Sequence, residues 1–449
     1  MSATPSTETA PPQGPGELRR VISRPMLTFF IIGDILGAGI YSLTGEVGGD
    51  AGGAIWLSFL IAFALAFLTA FAYLELVTKY PQAAGAALYV DRAFGRQALS
   101  FIVTFAVMAS GITSAAFAAS RIGGRYFTGL TGVENPPTVL IGILAMLLVA
   151  AVNLWGVAES IRVNIGITLV ELSGLLFIIA VGAVVLVSGE GNPGQAFQFE
   201  GSGFGIATGL LAGAGTAFYA FLGFEDAVNL AEETKEPSRT FPPALVTGLV
   251  LAGVVYLLVA FTAVMTVPLD VLVASTGPLL EVVREGAPGL PVDRVFSAVS
   301  IIAVANTMLI NMVMASRLLY GMARRGVVPA PLGRVSRRGA PWVAIAFTTG
   351  LAILLLITVS DLSDLSDTTV LLLTGVFLLV NVSALVLRRD AVEHEHFTAP
   401  TAALVAGAIV SFVFLLPVVQ EGSIYLLAGW LLLGGAVLWA ATAAVNRRS

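Results

Sequence analysis

Long apolar stretches separated by short polar connections run from residue 25 almost to the C-terminus. Stretches close to the roughly 20 residues that span a bilayer fall at about 25–46, 53–78, 96–127, 138–157, 163–188, 205–232, 241–268, 292–321, 342–359, 368–388, 400–418 and 423–445. They predict twelve helices. Two of them are interrupted. The first carries Gly33, Gly37, Gly39 and Gly45 in GDILGAGIYSLTG, with Asp34 among them. Glycine in a helix interior costs about 1 kcal/mol relative to alanine, so Gly37-Ala38-Gly39 predicts a break. The sixth carries Phe221-Leu222-Gly223, followed by Glu225 and Asp226. Broken backbone at membrane depth is tolerated only where it is buried in protein or lines a cavity. Close packing of helices on small residues is the other reading of the first stretch. The second interruption favours the break.

The features recur in order. The first and sixth spans are interrupted, and the third and eighth are the longest predicted. Spans one to five are thus repeated by six to ten. Five is odd, so the second set enters the membrane upside down. Inverted repeats that open on discontinuous helices are a sign of secondary transporters, with the substrate near the midplane. The fold class expected is an all-α integral membrane protein with a 5+5 inverted repeat. Residues 1–18, rich in Pro, Thr, Ser and Gly, read as a disordered cytoplasmic tail without the apolar core and cleavage site of a signal peptide. Residues 19–190 make the first repeat and 200–390 the second. Residues 398–449 hold the last two spans and a short tail.

Composition agrees with the pattern: 57% of residues are hydrophobic, 11% are charged and mean hydropathy is +0.92, whereas soluble domains carry about 25% charged residues. Placing the N-terminus in the cytoplasm puts nineteen of the Lys and Arg residues on the inner side and leaves four outside, Arg121, Arg125, Arg284 and Arg294. That asymmetry follows the positive-inside rule. It predicts a multi-pass protein of the plasma (inner) membrane with both termini cytoplasmic. Basic inner loops suit anionic lipid rather than nucleic acid. The absence of cysteine excludes disulfides, thiolate metal sites and cysteine nucleophiles. No Walker loop is present. His394 and His396 in EHEHF lie in a loop without the second half of a metal site. No metal, cofactor or enzymatic dyad is expected.

Breaking the first helix at Gly37-Ala38-Gly39 frees N–H groups at the start of its outer half, where a half-helix dipole favours an anion. Breaking the sixth frees carbonyls, which favour a cation. One small-molecule class carries both groups a few ångströms apart, the α-amino acid. A side chain at Gly39 is expected to enter the space where the carboxylate meets the amides.

At these residues a family resemblance is plain. LGAGIYSLTGEV, FYAFLGFEDAVNLAEETKEPSRTFP and NTMLINMVMASRLLYGMAR resemble the first helix, the sixth helix with its following loop, and the eighth helix of the amino acid–polyamine–organocation (APC) permeases. GAIWLSFLIAFALA leans towards the bacterial relatives of the cationic amino acid transporters. The resemblance covers the first ten spans. It implies the leucine-transporter fold and alternating access. It implies that amides at Ala38, Gly39 and Ile40, beside the break at Gly37, hold the substrate carboxylate. Carbonyls at Ile35, Tyr219, Ala220 and Leu222, beside Gly223, would hold the amine, with Tyr219 as an aromatic cover. Some relatives have serine where this chain has Ala38. The side-chain end of the pocket is assigned the polar candidates Ser110, Thr113, Ser114 and Asn311. None is charged, which leans towards neutral amino acids.

Ionisable groups inside the membrane are functional candidates by default. Glu171 lies about eight residues, or roughly 12 Å, into the fifth span, on a face with Thr168 and Gly174. The resemblance puts it where several proton-coupled members carry a lysine, so its charge is reversed. Burial favours the neutral form of a carboxyl, so Glu171 could carry a proton. It could equally ligate sodium with Thr307 or Asn306, or be a structural group bonded to first-helix backbone. Glu225 aligns with a glutamate linked to proton sensing in some exchangers; a bond to unwound backbone is its bland reading. Asp34 could hold the inner half of the first helix through Arg317 or backbone. Glu75 and Arg317 are read as structural groups that snorkel, Glu232, Glu233, Lys235 and Glu236 as a solvated loop. The function expected is secondary active amino acid transport, proton-coupled. The alternatives are a sodium-coupled symporter, an exchanger, or a non-transporting sensor, which would need an appended signalling domain. The sequence does not decide the oligomeric state.

Overall fold

The computed structural model describes residues 20–82, 85–155, 161–199, 203–288, 292–336, 340–420 and 422–446, without the side chains of 161–163 and 446. The tail at 1–18 and the basic residues Arg19, Arg337, Arg338, Arg447 and Arg448 lie outside them. Among the described residues seventeen α-helices follow in order. The first five are α1 (Arg24–Ile35), α2 (Ala38–Ala51), α3 (Ile55–Lys79), α4 (Gly85–Phe94) and α5 (Gln97–Ile122). Then come α6 (Arg125–Thr131), α7 (Thr138–Trp155), α8 (Ile161–Ser188), α9 (Phe204–Phe218) and α10 (Pro237–Thr266). The short α11 (Leu269–Ala274) and α12 (Pro278–Gly286) lead to α13 (Asp293–Arg324) and α14 (Trp342–Thr358). The chain closes with α15 (Ser363–Leu387), α16 (Thr401–Phe414) and α17 (Gly422–Asn446). Among the described residues, β-structure amounts to one isolated bridge, Ile22 to Thr234.

Nine stretches among the described residues are long and apolar enough to cross a membrane, the first running continuously from α1 through α3. The apolar helices α14 and α16 are shorter. The chain is an all-helical, multi-pass membrane protein. Its centre is α5, which packs against α13 and α15. From Met108 to Ile122 every residue of α5 is buried, and many are Ala, Gly or Ser, which let neighbouring backbones come close. The helix α1 lies against α10 and α8, and α9 against α2 and α3. By contrast α17 exposes Leu426, Trp430, Leu433 and Val437, a face suited to lipid.

Two expectations are corrected here. The eighth span is the longest helix, α13 with 32 residues, but α10 with 30 and α8 with 28 both exceed α5 with 26. Pro237 is the reason in α10: at the first helical position the missing N–H costs nothing, so the helix begins inside the loop. The run Glu232, Glu233, Lys235, Glu236 after the sixth span is a solvated loop only in its second half, where Lys235 and Glu236 are exposed. Asp226–Glu233 forms a 3-10 helix, Glu232 and Glu233 are half-buried, and Thr234 is fully buried. The Ile22 N–H donates to the Glu233 carbonyl (2.9 Å) and the Lys235 N–H to the Ile22 carbonyl (3.0 Å).

Candidate functional site

The helical run that begins with α1 breaks at Leu36 (ψ 84°) and Gly37 (φ −145°, ψ −146°), at the leading edge of the predicted Gly37-Ala38-Gly39. Leu36 still donates to the Ile32 carbonyl (2.8 Å). The Ala38 N–H, free within its own helix, donates to Thr307 Oγ1 on α13 (2.9 Å). The Ile35 carbonyl accepts the Tyr256 hydroxyl of α10 (2.6 Å). The break is therefore held on both sides by other helices, as buried backbone requires.

The second break follows α9. Tyr219–Phe221 tightens into a 3-10 turn, Leu222 is extended (ψ 150°), and Gly223 takes φ +119°, a conformation L side chains rarely adopt. The Gly223 N–H donates to Glu225 Oε2 (2.9 Å), so Glu225 does bond the unwound backbone. The two breaks touch: a Cβ on Gly223 would lie 2.7 Å from the Asp34 carbonyl oxygen. Glycine at 39 has a different reason from the expected one. A Cβ there would stand 2.4 Å from Ala220 Cα and 2.9 Å from its nitrogen, so it meets the 3-10 turn rather than open pocket.

Between the breaks lies a cavity of about 40 Å³. Its wall takes Asp34, Ile35, Gly37, Ala38 and Gly39 from the first break, and Tyr219, Leu222, Gly223, Glu225 and Asp226 from the second. Ser114 comes from α5, Thr307 and Asn311 from α13, and Thr369 and Leu373 from α15. Four of the pocket residues chosen from the sequence lie behind the wall. Ile40 and Thr113 are fully buried, Ala220 backs Gly39, and Ser110 turns its hydroxyl to the Val107 carbonyl (2.8 Å). One turn further along α5, Ser114 reaches the wall. Thr369 had no signal in the sequence; it is held by Thr113 (2.7 Å). A larger groove of about 710 Å³ lies among loops near Arg20, Arg239 and His394, remote from both breaks.

A column of side chains covers the cavity on the α2 side. The Ser114 and Tyr219 hydroxyls share a hydrogen bond (2.7 Å). The Tyr219 ring meets Phe117 edge-on at 5.1 Å, and the Arg121 guanidinium sits 4.7 Å over Phe117. Arg121 is ion-paired with Glu46 of α2, which also accepts from Ser363 Oγ of α15 (3.1 Å).

Glu171 lies outside the cavity, fully buried on α8. Its Oε1 accepts from Asn306 Nδ2 of α13 (3.0 Å), and its Oε2 has no hydrogen-bond partner among the described residues. The next residue along α13, Thr307, is the one that holds Ala38. Its partner is thus a side chain of α13 rather than first-helix backbone; the backbone link runs the other way, from the Tyr41 hydroxyl to the Glu171 carbonyl (2.8 Å). Glu75 does not snorkel. Its side chain is 2% exposed and takes a two-pronged bond from Arg388 (3.0 and 3.1 Å) and another from the Ala399 N–H (2.9 Å). Among the described residues no group of three or more His, Cys, Asp or Glu side chains is arranged to hold a metal ion.

The family profile described as "Amino acid permease" matches residues 22–437. The chain is similar to the branched-chain amino acid permease of Bacillus subtilis, 25% identical over 94% of this chain and 92% of that one. It is 28% identical to the vacuolar cationic amino acid transporter 4 of Arabidopsis thaliana over 84% of this chain, which spans 64% of that protein. To the methylthioribose transporter of Bacillus subtilis it is 25% identical over 89% of both chains. With a profile match that takes in both helix breaks and the wall between them, the chain belongs to the amino acid permease family of the APC superfamily, whose members are transporters and not enzymes.

Proposed function

We propose that this chain is a secondary active amino acid transporter of the plasma membrane, working by alternating access and driven by protons. The reading takes twelve crossings, both termini in the cytoplasm, and an inverted repeat of 19–190 and 200–390. The observation that carries it is the meeting of the two helix breaks in one cavity wall. Gly37, Ala38 and Gly39 share that wall with Tyr219, Leu222 and Gly223, and in this reading the start of α2 supplies N–H groups and the turn after α9 carbonyls. A carboxylate and an ammonium on one carbon match the two ends.

Proton coupling rests on the link from Glu171 to the cavity. Glu171 binds Asn306, Asn306 adjoins Thr307, and Thr307 holds the Ala38 N–H at the break. A change of charge on Glu171 thus reaches the carboxylate end of the pocket through two neighbouring residues of one helix. Coupling requires that the proton favour one of the two access states over the other. The test is accumulation of labelled amino acids by proteoliposomes under an imposed proton gradient in sodium-free buffer. Wild type accumulates; Glu171→Gln keeps counterflow exchange but loses accumulation. Accumulation that needs sodium in wild type replaces the proton with sodium. Equal accumulation by wild type and variant makes Glu171 structural.

A further inference from the structure

Two acceptors on α8 are buried without a hydrogen-bond partner among the described residues, Glu171 Oε2 and Asn164 Oδ1. Between them in sequence stands Thr168. The spacing of Asn164, Thr168 and Glu171, four residues and then three, puts all three on one face of the helix. Thr168 is fully buried, and its hydroxyl donates to the Asn164 carbonyl (2.8 Å). Asn164 lies in the first turn of α8, which begins at Ile161. The file therefore runs roughly 10 Å from Glu171 to one end of the helix. In the proposed orientation that end is cytoplasmic. Buried acceptors call for donors, and a face with several polar groups is one that water can follow.

That face is closed where α1 lies on it. A Cβ on Gly33 would overlap Thr168 Oγ1 and stand 3.0 Å from Thr168 Cβ and 3.1 Å from Asn164 Oδ1. Turning the hydroxyl away does not clear the approach, because the Thr168 Cβ stays. Glycine at 33 thus lets α1 rest directly on the middle of the file. Gly33 is one turn before the first helix break, so a swing of α1 about that break lifts it from α8. On its other side Glu171 reaches the cavity through Asn306 and Thr307. Asp34 of α1, Tyr41 of α2 and Tyr256 of α10 are ionisable side chains near enough to interact with its charge. We propose that Asn164 and Thr168 form the inner exit for the proton carried by Glu171, and that Gly33 seals this exit until α1 leaves α8. The proton passes from the Glu171 carboxyl to water on this face and leaves as hydronium. The carboxylate left behind keeps the Asn306 amide as its donor. This rests on the proton-driven reading and adds a route and a moment of release. Release then belongs to one access state only, as coupling requires.

The test follows a pH-sensitive dye trapped in proteoliposomes of the full chain, under an inward proton gradient and without amino acid. Gly33→Ala pushes α1 off Thr168. It is expected to let protons in roughly tenfold faster than wild type, the gain in open population that overpacking a tight contact supplies. Adding Glu171→Gln removes the carrier and is expected to return the vesicles to wild-type tightness. The exit is overturned if Gly33→Ala is as tight as wild type. It is also overturned if the leak survives Glu171→Gln, which makes it a general packing defect. A second measurement decides even where Gly33→Ala fails to purify. Asn164→Leu lines the end of the file with apolar atoms. It is expected to slow proton-driven accumulation of labelled amino acid about fivefold relative to counterflow exchange, because exchange can cycle with the proton bound. An unchanged ratio of the two rates overturns the exit. Wild type that accumulates under a proton gradient, beside a tight Gly33→Ala, removes the exit alone. Wild type that accumulates only with sodium removes the proton and its exit together.

Discussion

Single atoms set the tolerance of the two breaks. A methyl group at Gly39 would stand 2.4 Å from the Ala220 backbone, and neither side is a flexible side chain that can turn away. Gly39→Ala is therefore expected to wedge α2 from the turn after α9, lowering thermal stability by about 1–3 kcal/mol and abolishing uptake. Stability near wild type with full uptake would contradict that close approach. At Gly37 the obstacle is one hydroxyl, Thr307 Oγ1 at 2.1 Å, the same atom that holds the Ala38 N–H. Thr307→Ala alone orphans that donor, at a cost of roughly 1–3 kcal/mol. Adding Gly37→Ala to it is expected to cost far less than Gly37→Ala in wild type. A double-mutant cycle of melting temperatures that closes additively would mean the two residues are not in contact. A third residue-scale case is Arg388→Met. It leaves Glu75, 2% exposed, without its guanidinium, and the loss is expected near roughly 3 kcal/mol, the low end for a broken buried pair because Arg388 is partly exposed. Adding Glu75→Gln should restore part of it.

Among the elements, α1 ends on a bond supplied by another helix. Its last carbonyl, on Ile35, is held by the Tyr256 hydroxyl of α10 rather than by its own helix. Tyr256→Phe removes only that donor. Amide exchange in the last turn of α1 is expected to quicken by roughly fivefold, for about 1 kcal/mol of lost bonding, while α2 stays protected. Equal exchange in variant and wild type would show that the break is fixed by Gly37 alone. The breaks themselves were legible in the sequence, because Gly37, Gly39 and Gly223 stand where long apolar runs should continue. The family strings placed ten of the wall residues as well. What stayed hidden depended on partners from elsewhere in the chain. Nothing near Asp34 indicated that Gly223 would carry it into the cavity wall. Ser110 and Ser114 share one face of α5, and only the packing against Tyr219 chose Ser114. The partner of Glu75 lay more than three hundred residues away, at Arg388. The acidic run after Gly223 read as solvated because its tie to Ile22 is made by backbone, which no side-chain pattern reports.

For the molecule as a whole, the column from Glu46 through Arg121 and Phe117 to Tyr219 joins α2, α5 and the turn after α9 over the cavity. The chain has no cysteine, so Leu373→Cys gives a single thiol in the wall. A polar thiol reagent is expected to label it slowly, and roughly tenfold faster once Glu46→Gln weakens the column, the factor that about 1.4 kcal/mol of easier opening supplies. Unchanged labelling would mean that the column does not limit access. On the opposite side, α1 and the 3-10 helix Asp226–Glu233 are fastened to each other twice. Ile22 pairs with Thr234 at one end, and Asp34 meets Gly223 at the other. In the proposed alternating access they would move as one door leaf hung on two pins, Leu36–Gly37 and Leu222–Gly223. A leaf on two pins swings only about the line that joins them. Gly37, Leu222 and Gly223 of these pins are part of the cavity wall, so a molecule bound there would lie close to that axis. It would then be the part of the machine displaced least while the far edge of the leaf travels most.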